Sequence, residues 1–161
     1  MIYGMFQIEL RTEIAAFLME ACPFADAEEA ASALARCLAL VSGASSVGME
    51  PRKDELSFVQ ETKGFGSVDI IFETKLFGVY RLNIAPGKGI PLHFHEQMKE
   101  AEFVLTDGLA LQGVVVPRGT RSYWKHGERH RYDNGTAQWQ AVLCVDSPPF
   151  IPEDEIEVPT P

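Results

Sequence analysis

Apolar positions along the chain change their period once, from that of a helix to that of a strand. In the first fifty residues Ile14, Phe17, Leu18 and Ala21 fall on one helical face, with Thr12 before them and Pro23 forbidding continuation. The spacing predicts a short helix. Asp26 followed by Glu29 has the form of a capping box, and Ala30, Ala33, Leu34, Cys37, Leu38 and Val41 recur at helical spacing until Gly43. A second helix is expected there. Two short amphipathic helices cannot build a core alone, so their apolar faces must pack on the remainder of the chain or on another subunit.

From Leu56 the period is two. Leu56-Phe58, Val68-Ile70, Tyr80-Leu82-Ile84, Leu109-Leu111 and Trp139-Ala141-Leu143-Val145 alternate with polar or small residues, separated by glycine-containing breaks such as Gly64-Phe65-Gly66 and Pro86-Gly87-Lys88-Gly89. Asn134-Gly135 reads as a two-residue hairpin turn. Short strands with turns this frequent predict an antiparallel sandwich or barrel, and Leu56 to Asp146 is long enough for one. The tail from Ser147 to Pro161 carries five of the ten prolines and four acids. It is expected to be an extended arm over the surface or over a partner subunit. The division is a helical extension over 1–50, a barrel over 51–146 and an arm over 147–161.

The length of 161 residues fits one domain, and a net charge of −9 disfavours nucleic acid and anionic lipid as partners. Cys22, Cys37 and Cys144 are odd in number and share no paired spacing, so neither a disulfide framework nor a thiolate metal site is expected. With no signal-like N-terminus and no long apolar run, the expected compartment is the cytoplasm.

The four histidines, His93, His95, His126 and His130, are confined to a short stretch. His93 and His95 are two apart, which on a strand places both rings on one face, about 7 Å apart along the backbone. Glu100 follows after an interval long enough for a turn, and His130 thirty residues later. Three imidazoles and a carboxylate form a mixed nitrogen and oxygen set suited to a divalent first-row metal, with room left for water or substrate.

These segments resemble the cupin superfamily. Its first motif is matched by Gly87, then His93-Phe94-His95, Glu100 and Gly108, the last one residue late; its second is matched by Gly119, Lys125-His126-Gly127, His130 and Asn134. Lys125 stands where the motif has proline. The resemblance implies a small, single-domain, metal-binding cupin: an all-β, antiparallel jelly-roll barrel (double-stranded β-helix) carrying two N-terminal helices. It assigns the metal to His93, His95, Glu100 and His130, and the metal could be iron, manganese, nickel or zinc. The late Gly108 makes Glu102 a rival carboxylate, with Glu100 preferred by spacing. Asn134 is read as structural, and Cys144 as a small packing residue.

Residues 88–131 hold seven Lys and Arg against five acids, a local +2, whereas the remainder carries −11. A cationic barrel mouth would draw in a small carboxylate or phosphate, with Arg121 and Arg129 as its contacts. Glu102, Tyr123 and His126 are candidates for proton transfer. The expectation is a homodimeric, metal-dependent enzyme acting on a small anionic metabolite, as an isomerase, lyase, decarboxylase or dioxygenase. The alternative is a non-catalytic ligand-binding or regulatory cupin.

Overall fold

The computed structural model describes residues 2–42 and 59–159. The boundary expected at residue 50, the helix stop at Gly43 and the strand expected at Leu56–Phe58 lie outside the described residues. The first helix, α1 (Ile2–Ala21), is 20 residues long and starts ten residues before Thr12. Thr12 does not cap it: its hydroxyl donates to the Ile8 carbonyl (2.9 Å), the back-bond a threonine makes inside a helix. The anticipated face is the one that packs, with Ile14, Phe17 and Leu18 fully buried. Each side chain so buried contributes about 1.5–3 kcal/mol. In α2 (Ala27–Ser42) the Asp26 carboxylate accepts the Glu29 N–H (2.8 Å), while Glu29 reaches back to the Ala25 N–H (2.7 Å).

Eleven strands come after the helices among the described residues: β1 (Val59–Lys63), β2 (Gly66–Glu73), β3 (Gly78–Ile84), β4 (Gly89–Phe94), β5 (Lys99–Val104), β6 (Ala110–Leu111), β7 (Val114–Val115), β8 (Arg121–Trp124), β9 (His130–Asp133), β10 (Gln140–Ser147) and β11 (Ile156–Glu157). They pair antiparallel in two sheets, ordered β1-β2-β3-β10-β5-β8 and β11-β4-β9-β6-β7. The architecture is thus β-dominated with two substantial helices. Asn134-Gly135 is not a hairpin turn, because β9 and β10 belong to different sheets and the chain must cross between them. Asn134 holds that crossing: its amide donates to the carbonyls of Ile84 and Gln138, and its oxygen accepts from Thr136. Gly87 turns the chain into β4 at φ +69°, a left-handed conformation that favours glycine.

The six-stranded sheet is covered on both faces. Its inner face sends Ile84 and Val142 into the barrel, where they meet Ile90 and Tyr132 of the second sheet and Leu109 just before β6, while Tyr80 and Cys144 cluster with Val68. On its outer face Val79, Phe103, Leu143 and Val145 pack on Ile14, Phe17, Leu18 and Cys37 of the helices. This is why β3 and β10 are buried almost throughout. The arm folds against its own barrel: β11 pairs with β4, placing Ile156 opposite Phe94 and Glu157 opposite His93. A β-edge tolerates the flanking prolines that a central strand would not.

The outer face also buries a charge. The Arg81 side chain, 1% exposed, donates from Nε to Asn83 Oδ1 (2.7 Å), lies 3.5 Å from Asp69 Oδ2, and donates from Nη1 to the Leu40 carbonyl near the end of α2 (3.1 Å). Asn83 and Gln60 complete the Asp69 carboxylate. A guanidinium here ties helix to sheet and complements the helix C-terminus. Arg81→Ala is expected to cost about 3–5 kcal/mol in equilibrium denaturation, since it leaves Asp69 buried without its cation. A loss below about 1 kcal/mol would show that this cluster does not anchor the helix.

Candidate metal centre

The two sheets face each other across the barrel, and four polar side chains meet between them. His93 lies on β4, directly opposite His130 of β9, and His95 follows one residue beyond the end of β4. Glu100 comes from β5 in the other sheet. One donor atom from each of the four lies within 4.8 Å of the others, close to the span of an ion with bonds of about 2.0–2.2 Å. None of the four is more than 8% exposed.

The backbone fixes which nitrogen each imidazole turns inward. Nδ1 of His93 faces the Pro91 carbonyl (2.8 Å), that of His95 the Asp154 carbonyl (2.9 Å), and that of His130 the Glu128 carbonyl (3.3 Å). A carbonyl can only accept, so each Nδ1 carries the hydrogen and each neutral ring presents an Nε2 lone pair to the centre. Glu100 Oε2 lies 3.1 Å from His95 Nε2 and 2.7 Å from His130 Nε2. With lone pairs facing a carboxylate, His95 Nε2, His130 Nε2 and Glu100 Oε2 are buried acceptors without a hydrogen-bond partner. A divalent cation satisfies all three at once, so the donor set fits a metal.

Without a cation the same geometry draws protons instead. Burial pushes His95 and His130 down, but Glu100 outweighs it and raises both. Burial together with His130 holds His93 low, at about 4. For Glu100, burial would be overcome by protonated His130 and His95 donating to it, which keeps it well below the usual carboxylate range. Glu102, two residues along the same strand face, is engaged elsewhere: its Oε2 accepts from Trp124 Nε1 (2.6 Å) and the Tyr132 hydroxyl (2.8 Å). Burial and the neighbouring Glu100 raise it to about 7. Trp124, held by Glu102, stacks on His130 with ring centroids 4.6 Å apart and planes within 4°.

Neither a family model nor a curated protein sequence matches the chain. Solved structures do. The polyketide cyclase RemF from Streptomyces resistomycificus aligns at TM-score 0.51 and 23% identity, over 66% of this chain and 89% of that one. The capsular polysaccharide assembling protein CapF from Staphylococcus aureus aligns at 0.56 and 14%, over 67% of this chain and 34% of its own. A sugar phosphate isomerase described as of a cupin superfamily, from Silicibacter pomeroyi, aligns at 0.48 and 20%, over 56% of this chain and 71% of that one. The chain has the cupin fold. At these identities the likeness concerns the double-stranded β-helix alone.

In this cupin barrel the remaining sequence candidates scatter. Residues alternate along β8, so Ser122 and Trp124 face inward while Arg121 and Tyr123 face out toward α1. Arg121 pairs with Glu20 (3.2 Å) and lies over the Phe103 ring, on the far side of the sheet from the histidines. It is not at the barrel mouth. Tyr123 is 47% exposed on that same outer face, and His126 and Arg129 are exposed on the turn before β9. None of Glu102, Tyr123 and His126 lines the barrel cavity. That turn also accounts for Lys125, whose N–H donates to Glu128 Oε2 (2.6 Å), a bond proline could not make.

A cavity of about 270 Å³ occupies the barrel beside the centre, with Glu100 as the wall they share. Its polar floor adds two residues that the spacing did not single out for chemistry. Cys144 is not merely packing: its thiol lies 3.1 Å from Asp146 Oδ1 and 3.7 Å from Glu100 Oε1. Burial, then Glu100, pushes the Asp146 carboxyl well above its usual range. Sequence reasoning also missed Asp154, 2% exposed in the arm. Its carboxylate accepts the N–H groups of Glu96, Gln97 and Met98, the turn joining His95 to β5, while its carbonyl holds His95 Nδ1. No signal in the sequence links it to His95, 59 residues earlier.

Asp154→Ala strips three N–H groups of their acceptor and frees the turn that carries His95. It is expected to weaken divalent-metal binding by about 10–100-fold in calorimetric titration. Unchanged metal affinity, with stability alone reduced, would show that Asp154 supports only the fold.

Proposed function

We propose that this cupin is a metal-dependent enzyme acting on a small organic molecule held in the barrel cavity. One observation carries the reading: three buried acceptor atoms, His95 Nε2, His130 Nε2 and Glu100 Oε2, converge without a donor while the backbone occupies each Nδ1. A closed hydrogen-bonded cluster would pair those atoms, so a cation is the economical partner. Iron, manganese, nickel and zinc all suit three imidazoles and a carboxylate. When bound, such an ion supplies a Lewis acid that stabilises negative charge developing on a coordinated oxygen.

The residues of the chain do the rest. His93, His95, Glu100 and His130 would hold the ion; the Pro91, Asp154 and Glu128 carbonyls orient the imidazoles; Trp124 covers His130 and shields that side from water. Glu100 joins centre and cavity, and Cys144 and Asp146 present polar groups to whatever the cavity holds. An anionic metabolite finds no support in this arrangement, because Arg121 is paired on the outer face and Arg129 is exposed on a turn. Nothing in the geometry selects among isomerase, lyase, decarboxylase and dioxygenase chemistry.

A second reading, metal-supported binding without turnover, draws on one feature: every ligand is buried, and only Glu100 reaches the cavity. Closed sites of this kind are frequent where a metal is structural. Elemental analysis of protein purified without chelator tests what both share. Near one equivalent of a first-row metal is expected, and re-adding it after chelation should raise the melting temperature, the stabilisation amounting to about 2.7 kcal/mol at a hundredfold excess over Kd. His130→Ala should abolish that rise. Wild-type protein without stoichiometric metal and without a metal-dependent shift would overturn both readings.

A further inference from the structure

The charge and shape of the barrel cavity limit what it can receive. Its walls are apolar, built from Phe65, Val68, Ile70, Leu82 and the rings of Tyr80 and Phe150, which meet edge to face with centroids 6.5 Å apart. The floor carries Glu100, Cys144 and Asp146, each at least nine-tenths buried, and no guanidinium or ammonium group. At the rim Lys63 is the one cation among the described residues lining the cavity, and it is paired with Glu61 at 3.0 Å. The Tyr80 hydroxyl donates to Glu73 (2.7 Å) and accepts the Phe150 N–H (3.0 Å), so it too is engaged.

We infer that the cavity takes an uncharged aromatic molecule bearing a hydroxyl group, its ring between the apolar walls and its O–H donated to the carboxyl groups of the floor. The inference rests on the cavity being the substrate site proposed above, and names the class of molecule. A carboxylate or phosphate would be pressed against Glu100 and Asp146, with the lining cation Lys63 already paired to Glu61 at the rim and any bound metal screened from the cavity by Glu100, in surroundings where unpaired charge is strongly penalised. An ammonium group fares little better. On the floor, Glu100 is already within 3.1 Å of two imidazole nitrogens and would be shared with a dication once metal is bound, while Glu61 and Glu73 are engaged by Lys63 and the Tyr80 hydroxyl. A hydroxyl donor satisfies a floor rich in acceptors without bringing charge, and aromatic walls reward a flat ring. At about 270 Å³ the space lies just below the range of about 300–1,000 Å³ typical of small-molecule sites, so one or two fused rings suit it better than a larger skeleton.

The arm sets part of this specificity. Phe150 and Pro152 close one side of the cavity, and the segment holding them is fastened at Tyr80 and at Met98, whose sulfur accepts the Ile151 N–H.

The test uses phenol and 2-naphthol with their ring-matched carboxylates, benzoate and 2-naphthoate, and ring-matched amines, benzylamine and 2-naphthylmethylamine. Each is titrated into the full chain, both metal-loaded and chelator-treated, with the methyl resonances of Val68, Ile70 and Leu82 as the readout. At least one phenol is expected to shift those methyls and to bind about tenfold or more tightly than its charged partners. Phe150→Ala should weaken that binding with its melting temperature near the wild-type value. Equal or tighter binding of a carboxylate or amine overturns the inference, as does failure of both phenols to move the cavity methyls. Phenol binding to protein that takes up no metal would leave the ligand class standing and remove the metal reading. Stoichiometric metal with no phenol binding would do the reverse.

Discussion

Three backbone carbonyls, of Pro91, Glu128 and Asp154, decide what this barrel can do. Each faces the Nδ1 of a histidine and so turns the opposite nitrogen toward the centre. Had any of them been replaced by a donor, the ring would present N–H to the centre, and a carboxylate among hydrogen-bond donors would need no ion. The tautomers follow from where strands β4 and β9 end and from where the arm crosses, so the electrostatics of the centre is a consequence of chain path. Two of the three carbonyls lie two residues before their histidine. The third comes from the C-terminal arm, 59 residues after its histidine.

That third contact explains why a proline-rich acidic tail is kept against the barrel. Pairing of β11 with β4 covers an edge, but it is the turn over Pro152–Asp154 that brings both a carbonyl to His95 and a carboxylate to the three amides after it. Burial of the Asp154 carboxylate is offset by those amides, which hold it below the usual range for an aspartate. The arm is thus packed where a ligand, a turn and a cavity wall meet. An interface with a partner subunit is not needed to account for it.

The parts of the structure that were legible in the sequence are those governed by local period and motif spacing. Helical spacing from Ala30 onward, alternation in Tyr80-Leu82-Ile84 and the interval from His93 to Glu100 each reflect constraints acting over a few residues. The parts that were not legible depend on contacts across sheets. Thr12 has the chemistry of a cap but spends its hydroxyl inside a helix that began earlier. Asn134-Gly135 has hairpin chemistry but sits where the chain changes sheets. Asp154, Asp146 and the thiol of Cys144 carry no local signature, because their partners come from strands and turns distant in sequence.

Charge arithmetic failed for a more instructive reason. A local excess of basic residues around the two motifs suggested a cationic mouth, but a sum over sequence ignores which face of a strand each residue occupies. On β5 and β8 the inward positions are Glu100, Glu102, Ser122 and Trp124, and the outward ones opposite are Ala101, Phe103, Arg121 and Tyr123. Every charge on the inner face of this pair is negative, and the arginine of β8 belongs to the helix-facing side, where Glu20 neutralises it. The period of two that made the barrel predictable also sorts charge by face. Applied before the sum was taken, that alternation yields an acidic interior in which imidazoles and a cation are the complement of Glu100. It leaves Glu102, held by Trp124 and Tyr132, to fix the aromatic cover over His130. Two carboxylates on one strand face thereby separate into one that fits the ion and one that shapes the wall around it, a division made by which neighbours could donate to each.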